Sequence, residues 1–141
     1  MCQDFLKLSG KITVKKNDEL VLEKNNLIVT AGKTFVAAAL GASSTSPFTH
    51  MGIGSGTTAA VIGDTDLETS IVRQVFGSVT PVANVITFVT TYAAGTGTGT
   101  ITEAGLFNAA SAGTMLSRVV FGAISKGAAD SLQITWEITV G

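Results

Sequence analysis

The run from Leu132 to Val140 alternates apolar and polar side chains without interruption. A period of two places successive side chains on opposite faces of an extended strand, so one face of this segment is dry and the other is wet. A strand with one dry and one wet face is typical of an antiparallel sheet that packs one side on a core. The dry face is predicted to consist of Leu132, Ile134, Trp136, Ile138 and Val140.

Other segments show the same alternation and are bounded by turn residues. Residues 10–23 are predicted to form a β-hairpin around Asn17-Asp18. Residues 31–40 are rich in alanine and predict a short α-helix, with Thr30 as its N-cap and Gly41 in the left-handed position after its end. The chain is therefore predicted to be mainly β, as an antiparallel β-sandwich of seven to nine strands with one short α-helix. Further strands are predicted at 27–29, 51–53, 71–80, 82–92, 101–108 and 114–124, and a single helical turn at 66–69.

The length of the chain favours one domain. A chain of 141 residues can bury a sufficient core without disulfide or metal crosslinks, and no linker divides it, so residues 1–141 are predicted to form a single β-sandwich domain. Cys2 is the only cysteine, so an intrachain disulfide is impossible. We expect no metal and no other cofactor.

Charged residues are scarce, at 13% of the chain, which is about half the usual share. A surface so poor in charge is typical of proteins that spend their life packed against other proteins, including copies of themselves. The alternative is an independent β-domain in which threonines simply replace charged residues. We therefore expect protein partners and a homo-oligomer.

Two other classes of partner are not expected. The formal net charge of −1 argues against nucleic acid, because a nucleic-acid-binding protein needs a basic face to neutralise phosphates. No apolar run approaches the roughly 20 residues of a membrane span, and no signal peptide is visible. We expect synthesis in the cytoplasm and no membrane partner.

Two motifs resemble ligand sites without meeting their requirements. The glycine-rich stretch 52–58 lacks the lysine of a phosphate-binding loop and the helix that should follow it. Asp64, Asp66 and Glu68 alternate like calcium ligands, but the glycine and the glutamate that an EF-hand loop needs further on are missing. A glycine-rich turn and an acidic turn are the favoured interpretations.

Catalytic residues are also scarce. His50 is the only histidine, and together with Cys2 it cannot supply a zinc site. A serine–histidine–acid triad would depend on His50 alone, and no serine lies in a nucleophile-elbow sequence. We do not expect an enzyme, and no catalytic residue is predicted.

Four charged residues lie in otherwise apolar or threonine-rich strands and are candidates for ion pairs across neighbouring strands. The pairs considered are Arg73 with Glu103 and Arg118 with Glu103, while Glu137 lies in the last strand. The alternatives are that all four side chains point to water, or that the pairs form between subunits.

Several segments together resemble a pattern found in small structural proteins of tailed bacteriophages. They span about residues 26–140 and end with the Thr135-Trp136 strand. The resemblance lies in the segments 26–33 (NLIVTAGK), 51–58 (MGIGSGTT), 64–68 with Arg73, 101–108 (ITEAGLFN) and 113–121 (GTMLSRVVF).

This resemblance implies a non-enzymatic, β-rich virion building block that is commonly multimeric. Proteins of this kind include capsid decoration (cement) proteins and head-fibre, tail-fibre and baseplate modules. We expect a decoration protein on the capsid surface that clamps the major capsid protein or another virion protein. The alternatives are a tail or baseplate component and a carbohydrate-binding sandwich. The hairpin 10–23 lies outside the resembling region and is a candidate to contact a neighbouring subunit.

Overall fold

The computed structural model describes residues 6–41 and 46–141, which contain ten strands and one helix. Cys2 lies outside the described residues. The elements, in chain order, are β1 (Leu8–Lys16), β2 (Glu19–Asn25), β3 (Leu27–Ile28), α1 (Thr30–Leu40), β4 (His50–Gly54), β5 (Ser70–Val75), β6 (Ser78–Val82), β7 (Val85–Tyr92), β8 (Gly99–Phe107), β9 (Met115–Lys126) and β10 (Leu132–Val140).

The strands form two antiparallel five-stranded sheets that face each other, which confirms the predicted sandwich. Sheet A has the order β2-β1-β10-β7-β6, and sheet B has the order β3-β9-β8-β4-β5. Apolar side chains from both sheets meet in one buried cluster. Helix α1 packs against β9 of sheet B.

The tenth strand arises because the alternating run predicted at 71–80 is divided between the two sheets. Residues up to Val75 pair with β4 in sheet B, whereas those from Ser78 pair with β7 in sheet A. The chain changes sheets at Phe76-Gly77, where the Phe76 N–H donates to Thr49 O and the Gly77 N–H donates to Val89 O. Strand alternation continues through such a corner, so the sequence pattern does not reveal it.

The last strand forms the centre of sheet A, between β1 and β7. Its predicted dry face is buried at four positions: Leu132, Ile134 and Trp136 are completely inaccessible and Ile138 is nearly so. Val140 was predicted to share this face but is 37% exposed, because it lies at the end of the sheet. Four side chains of one strand thus contribute to the main core.

The predicted hairpin at 10–23 is present as β1 and β2. Asn17 and Asp18 both have positive φ angles, 50° and 66°, which is the conformation of a two-residue type I′ turn. Asparagine and aspartate tolerate this backbone region better than most residues. Strand β1 pairs along its whole length with β10 of the same chain.

Helix α1 occupies the predicted position, but both predicted caps are wrong. Val29 precedes the first helical residue, and no side chain caps the N-terminus. Gly41 has a φ of −93°, so it is not left-handed. A glycine is required instead inside the helix: a Cβ on Gly32 would lie 2.5 Å from the carbonyl oxygen of Leu116 in β9.

One buried hydroxyl in the core leads to a stability prediction. Thr90 of β7 is completely buried, and its Oγ1 has no hydrogen-bond partner among the described residues. We expect Thr90→Val to leave the free energy of unfolding unchanged or to raise it by up to about 1 kcal/mol, because an unpaired buried hydroxyl is costly. Urea unfolding measures this change.

Thr102 provides the matched control. It is 94% buried, and its Oγ1 donates a 2.7 Å hydrogen bond to Gly56 O. Thr102→Val should lower the free energy of unfolding by about 1–2 kcal/mol, since the carbonyl loses its partner. Equal losses from the two substitutions would contradict the assignment.

Candidate functional site

A cluster of charged side chains lies between the outer face of sheet B and the loop of residues 55–69, which connects β4 to β5. At its centre are Glu103 of β8, which is completely buried, and Arg118 of β9, whose side chain is 2% exposed. The Arg118 Nε and one terminal nitrogen donate to the same oxygen of Glu103, at 3.0 and 2.8 Å. The structure thus joins one of the two pairs considered from the sequence.

Glu103 also holds both ends of the loop. Its carboxylate accepts hydrogen bonds from the backbone N–H groups of Gly56, Glu68 and Thr69, at 3.1, 3.1 and 2.8 Å. A Cβ on Gly56 would lie 2.7 Å from a carboxylate oxygen of Glu103, so only glycine allows this close approach. One buried carboxylate therefore fixes the entry and the exit of a long loop.

The glycine-rich stretch 52–58 does present its backbone N–H groups to anions, but the anions are the chain's own carboxylates. The Gly56 N–H binds Glu103, and the N–H groups of Thr57 and Thr58 bind Glu68 at 2.8 and 3.1 Å. The Thr58 hydroxyl also donates to Glu68. Backbone N–H groups of this kind attract phosphate in other proteins. Here they are already occupied, so the favoured interpretation of a glycine-rich turn agrees with the geometry.

Arg118 extends the cluster to the middle of the loop. Its guanidinium donates to Asp64 at 2.9 Å and to the carbonyl oxygen of Thr58 at 3.0 Å. Burial opposes the charged form of Arg118, but the hydrogen bonds to Glu103 and Asp64 outweigh it and raise the pKa of the guanidinium. Arg118 is therefore a permanent cation that holds three parts of the chain together.

The predicted pair of Arg73 with Glu103 is wrong: Arg73 forms its ion pair with Asp66 instead. Its guanidinium donates to Asp66 at 3.1 Å, and to the carbonyl oxygens of Ala109 and Ala112 at 3.1 and 2.8 Å. It also lies 3.4 Å from the ring centroid of Phe107, a cation–π contact. Arg73 thus joins the loop to the turn between β8 and β9.

The three carboxylates considered as calcium ligands do not converge. Asp64 binds Arg118 and the Val61 N–H, Asp66 binds Arg73, and Glu68 binds the threonines described above. The described residues contain no group of acidic, histidine or cysteine side chains arranged to hold a metal ion. The helical turn predicted at 66–69 is wrong, because these residues belong to the irregular loop.

The remaining predicted charges and motifs lie elsewhere. Glu137 is half-buried on the outer face of sheet A, opposite Lys11 of β1. His50 begins β4, and its Nδ1 lies 2.8 Å from the hydroxyl of Thr49. The structure therefore places neither residue in the cluster around Glu103.

Sequence reasoning missed Asp64, Asp66 and Glu68 as structural partners. It also could not show that Glu103 binds backbone N–H groups, since every residue but proline carries one. The available signal was a long loop between two strands that carries acidic residues at positions 64, 66 and 68.

A groove of about 1070 Å³ lies between β1 and α1. Leu8, Ile28 and Val36 contribute apolar walls, and Lys7 and Lys33 also line it. We assign it no ligand.

The charged cluster suggests a test of acid stability. Hydrogen bonds from the Thr58 hydroxyl and from the Thr58 and Thr57 N–H groups hold the pKa of Glu68 below its ordinary value of 4.5. A carboxylate whose pKa is lower in the folded than in the unfolded chain stabilises the folded state at pH values above the unfolded pKa. This stabilisation is lost as the pH falls through the pKa of the folded chain. We expect Glu68→Gln to lower the melting temperature at pH 7, and the difference from the unmodified chain to shrink progressively below about pH 4.5. A difference that stayed constant down to pH 3 would contradict this role.

No helix in the described part of the chain is long and apolar enough to cross a membrane. No protein family model matches the chain, and no curated protein or solved structure does so either.

Proposed function

We propose that the chain is a structural component of a tailed-bacteriophage virion, and that it acts as a capsid decoration (cement) protein which stabilises the assembled head. The resemblance of the segments within residues 26–140 supports this proposal. Such a protein acts by mass action: because it binds the assembled lattice and not its separate subunits, its binding free energy is added to the stability of the lattice.

Exposed apolar side chains on both sides of the sandwich are the observation that carries the proposal. On β2, Leu20 and Val21 are 58% and 45% exposed; on β5 and β6, Val75, Val79 and Val82 are 60%, 46% and 66% exposed. Only 13% of the chain is charged, and β6 carries no charged residue. Apolar edges of this kind suit burial against other proteins in an assembly.

The cluster around Glu103 supports the same role. Buried charge pairs and backbone hydrogen bonds hold the loop 55–69 in one arrangement against sheet B. A lattice component must present the same surface in every copy, and a fully hydrogen-bonded polar network favours a unique conformation.

Two alternatives place the chain differently. A tail or baseplate component would use the same surface features on another part of the particle. A carbohydrate-binding sandwich would need accessible aromatic side chains for stacking on sugars, whereas Trp136 and Tyr92 are completely buried. The tail alternative is therefore the one to be distinguished by experiment.

The test is a binding isotherm with particles of the phage that encodes the chain. The purified chain is mixed with empty heads or with detached tails, and bound protein is measured by co-sedimentation. We expect saturable binding to heads and none to tails. Saturable binding to tails alone would support the alternative, and no saturable binding to either particle would contradict the proposal.

Two matched variants identify the edge involved. Leu20→Lys and Val82→Lys each place a charge on an exposed position of an edge strand, so both should fold normally. We expect at least one of them to weaken head binding tenfold or more, because an unpaired lysine must then be desolvated.

A further inference from the structure

The outer face of sheet A is divided into a charged and an uncharged half. The charged half carries Lys11, Lys15, Glu23 and Glu137 on β1, β2 and β10. The uncharged half lies on the other side of β10, on β7 and β6, and we call it the uncharged face. Its outward residues are Ser78, Thr80, Val82, Val85, Thr87, Val89 and Thr91.

The direction of these side chains follows from the strand alternation. On β7, Phe88 and Tyr92 point into the main core and Ile86 packs against it, so the residues between them point outward. The register pairs Thr80 with Thr87 and Val82 with Val85, which places the β6 residues on the same side. Helix α1 and the loop 55–69 both pack on sheet B, so neither of them covers this face.

The uncharged face belongs to a longer stretch without charge. Between Arg73 and Glu103, residues 74–102 include no aspartate, glutamate, lysine, arginine or histidine. The two edges of sheet A differ accordingly: β2 carries Glu19, Glu23 and Lys24, whereas β6 carries no charge. Charges on an edge strand discourage association, and their absence from β6 leaves this side open to contact.

Pro81 determines what kind of contact is possible. It lies within β6, which pairs only with β7, and a proline offers no N–H group for a further strand. Continuous strand addition at this edge is therefore disfavoured. Packing through the outward valine and threonine side chains does not require that N–H group.

We infer that the uncharged face packs against the same face of a second copy of this chain. In a two-fold interface the same face of each copy packs against itself. A charged face would therefore repel its copy, whereas a face without charge does not. With a two-fold axis along β6 and β7, the charged halves of the two copies extend in opposite directions. The copies then contact each other without bringing Lys11 or Lys15 of one copy close to those of the other.

The area of the face sets the strength of this contact. Strands about 4.8 Å apart and about 3.3 Å per residue give roughly 200 Å² for the five residues of β6 and the eight residues of β7. A stable pair buries about 800 Å² per partner, so self-association should be weak in dilute solution. It becomes effective where copies are held side by side, as on a lattice. That lattice is the one in the proposed function, so the inference rests on the proposed function.

The experiment compares two lysine substitutions in one cross-strand row. Val89 lies on the uncharged face and Thr13 lies in the charged half. Both are half-buried, and they are the cross-strand partners of Thr135 on its two sides. Self-association of the full chain is measured by sedimentation equilibrium up to millimolar concentration. We expect the unmodified chain and Thr13→Lys to associate reversibly, and Val89→Lys to associate at least tenfold more weakly, since two lysines would meet across the axis. Circular dichroism and thermal melting verify that both variants fold.

Three results would overturn the inference. The unmodified chain could remain monomeric at every concentration, or the two variants could weaken self-association equally. In the third result, the chain never self-associates but Val89→Lys blocks its binding to heads, which would assign the face to a capsid protein. Head binding without self-association leaves the proposed function intact. Self-association by a chain that is absent from particles contradicts the proposed function instead.

Discussion

Replacing Glu103 by alanine is expected to lower the free energy of unfolding by about 3–5 kcal/mol, because the change leaves a buried guanidinium without its main partner. The same substitution removes the acceptor for the N–H groups of Gly56, Glu68 and Thr69. Urea unfolding measures the global loss. Hydrogen exchange should show that these three amides lose their protection. The amides of β10 should remain protected up to the lowered free energy of unfolding.

Two comparisons test this explanation. Arg118→Met should cost less than Glu103→Ala, because the carboxylate keeps its three backbone donors. Glu137→Ala removes a half-buried carboxylate from sheet A and should change stability by no more than about 0.5 kcal/mol. If Glu103→Ala cost no more than Glu137→Ala, the loop would not depend on this carboxylate.

Trp136→Ala is expected to have an effect of similar size, a loss of about 3–5 kcal/mol. The indole is completely buried at the centre of β10, and its N–H has no partner among the described residues. The loss therefore comes from apolar contacts and from the cavity that remains. Chemical unfolding followed by far-ultraviolet circular dichroism measures it, since the substitution removes the only tryptophan.

The neighbouring Thr135 is the control for this substitution. It lies on the same strand but on the outer face, and it is half-buried. Thr135→Lys should keep the fold within about 0.5 kcal/mol of the unmodified chain. A larger loss from Thr135→Lys than from Trp136→Ala would reverse the assignment of the two faces.

Much of the fold follows from local patterns in the sequence. The alternation in β10 predicts its buried face because strand periodicity depends on neighbouring residues alone. The Asn17-Asp18 turn was predictable for the same reason. The sheet change at Phe76-Gly77 was not, because it depends on which distant strand each half meets.

The ends of α1 show a second limit. Thr30 and Gly41 are residue types typical of helix caps, but the structure uses neither in that way. The position of α1 is set by its packing on β9, where Gly32 approaches the backbone of Leu116. Tertiary contact outweighs the weak local preference at both ends.

The charged cluster was only partly visible in the sequence. Unusual charges in apolar strands indicated Glu103, Arg73 and Arg118, because a charge in such a strand needs a partner. The partners themselves lie in an irregular loop, where no periodic pattern shows which side chains point inward. Asp64 and Asp66 therefore emerge as partners of the two arginines only from the structure.

The most direct test of the proposed function is quantitative mass spectrometry of purified phage particles produced by a host that carries the gene for this chain. Heads and tails are separated on a density gradient, and the chain is counted relative to the major capsid protein in each fraction. The proposal predicts that the chain is found with heads at a fixed molar ratio to the major capsid protein. Its absence from both heads and tails would contradict the assignment to the virion.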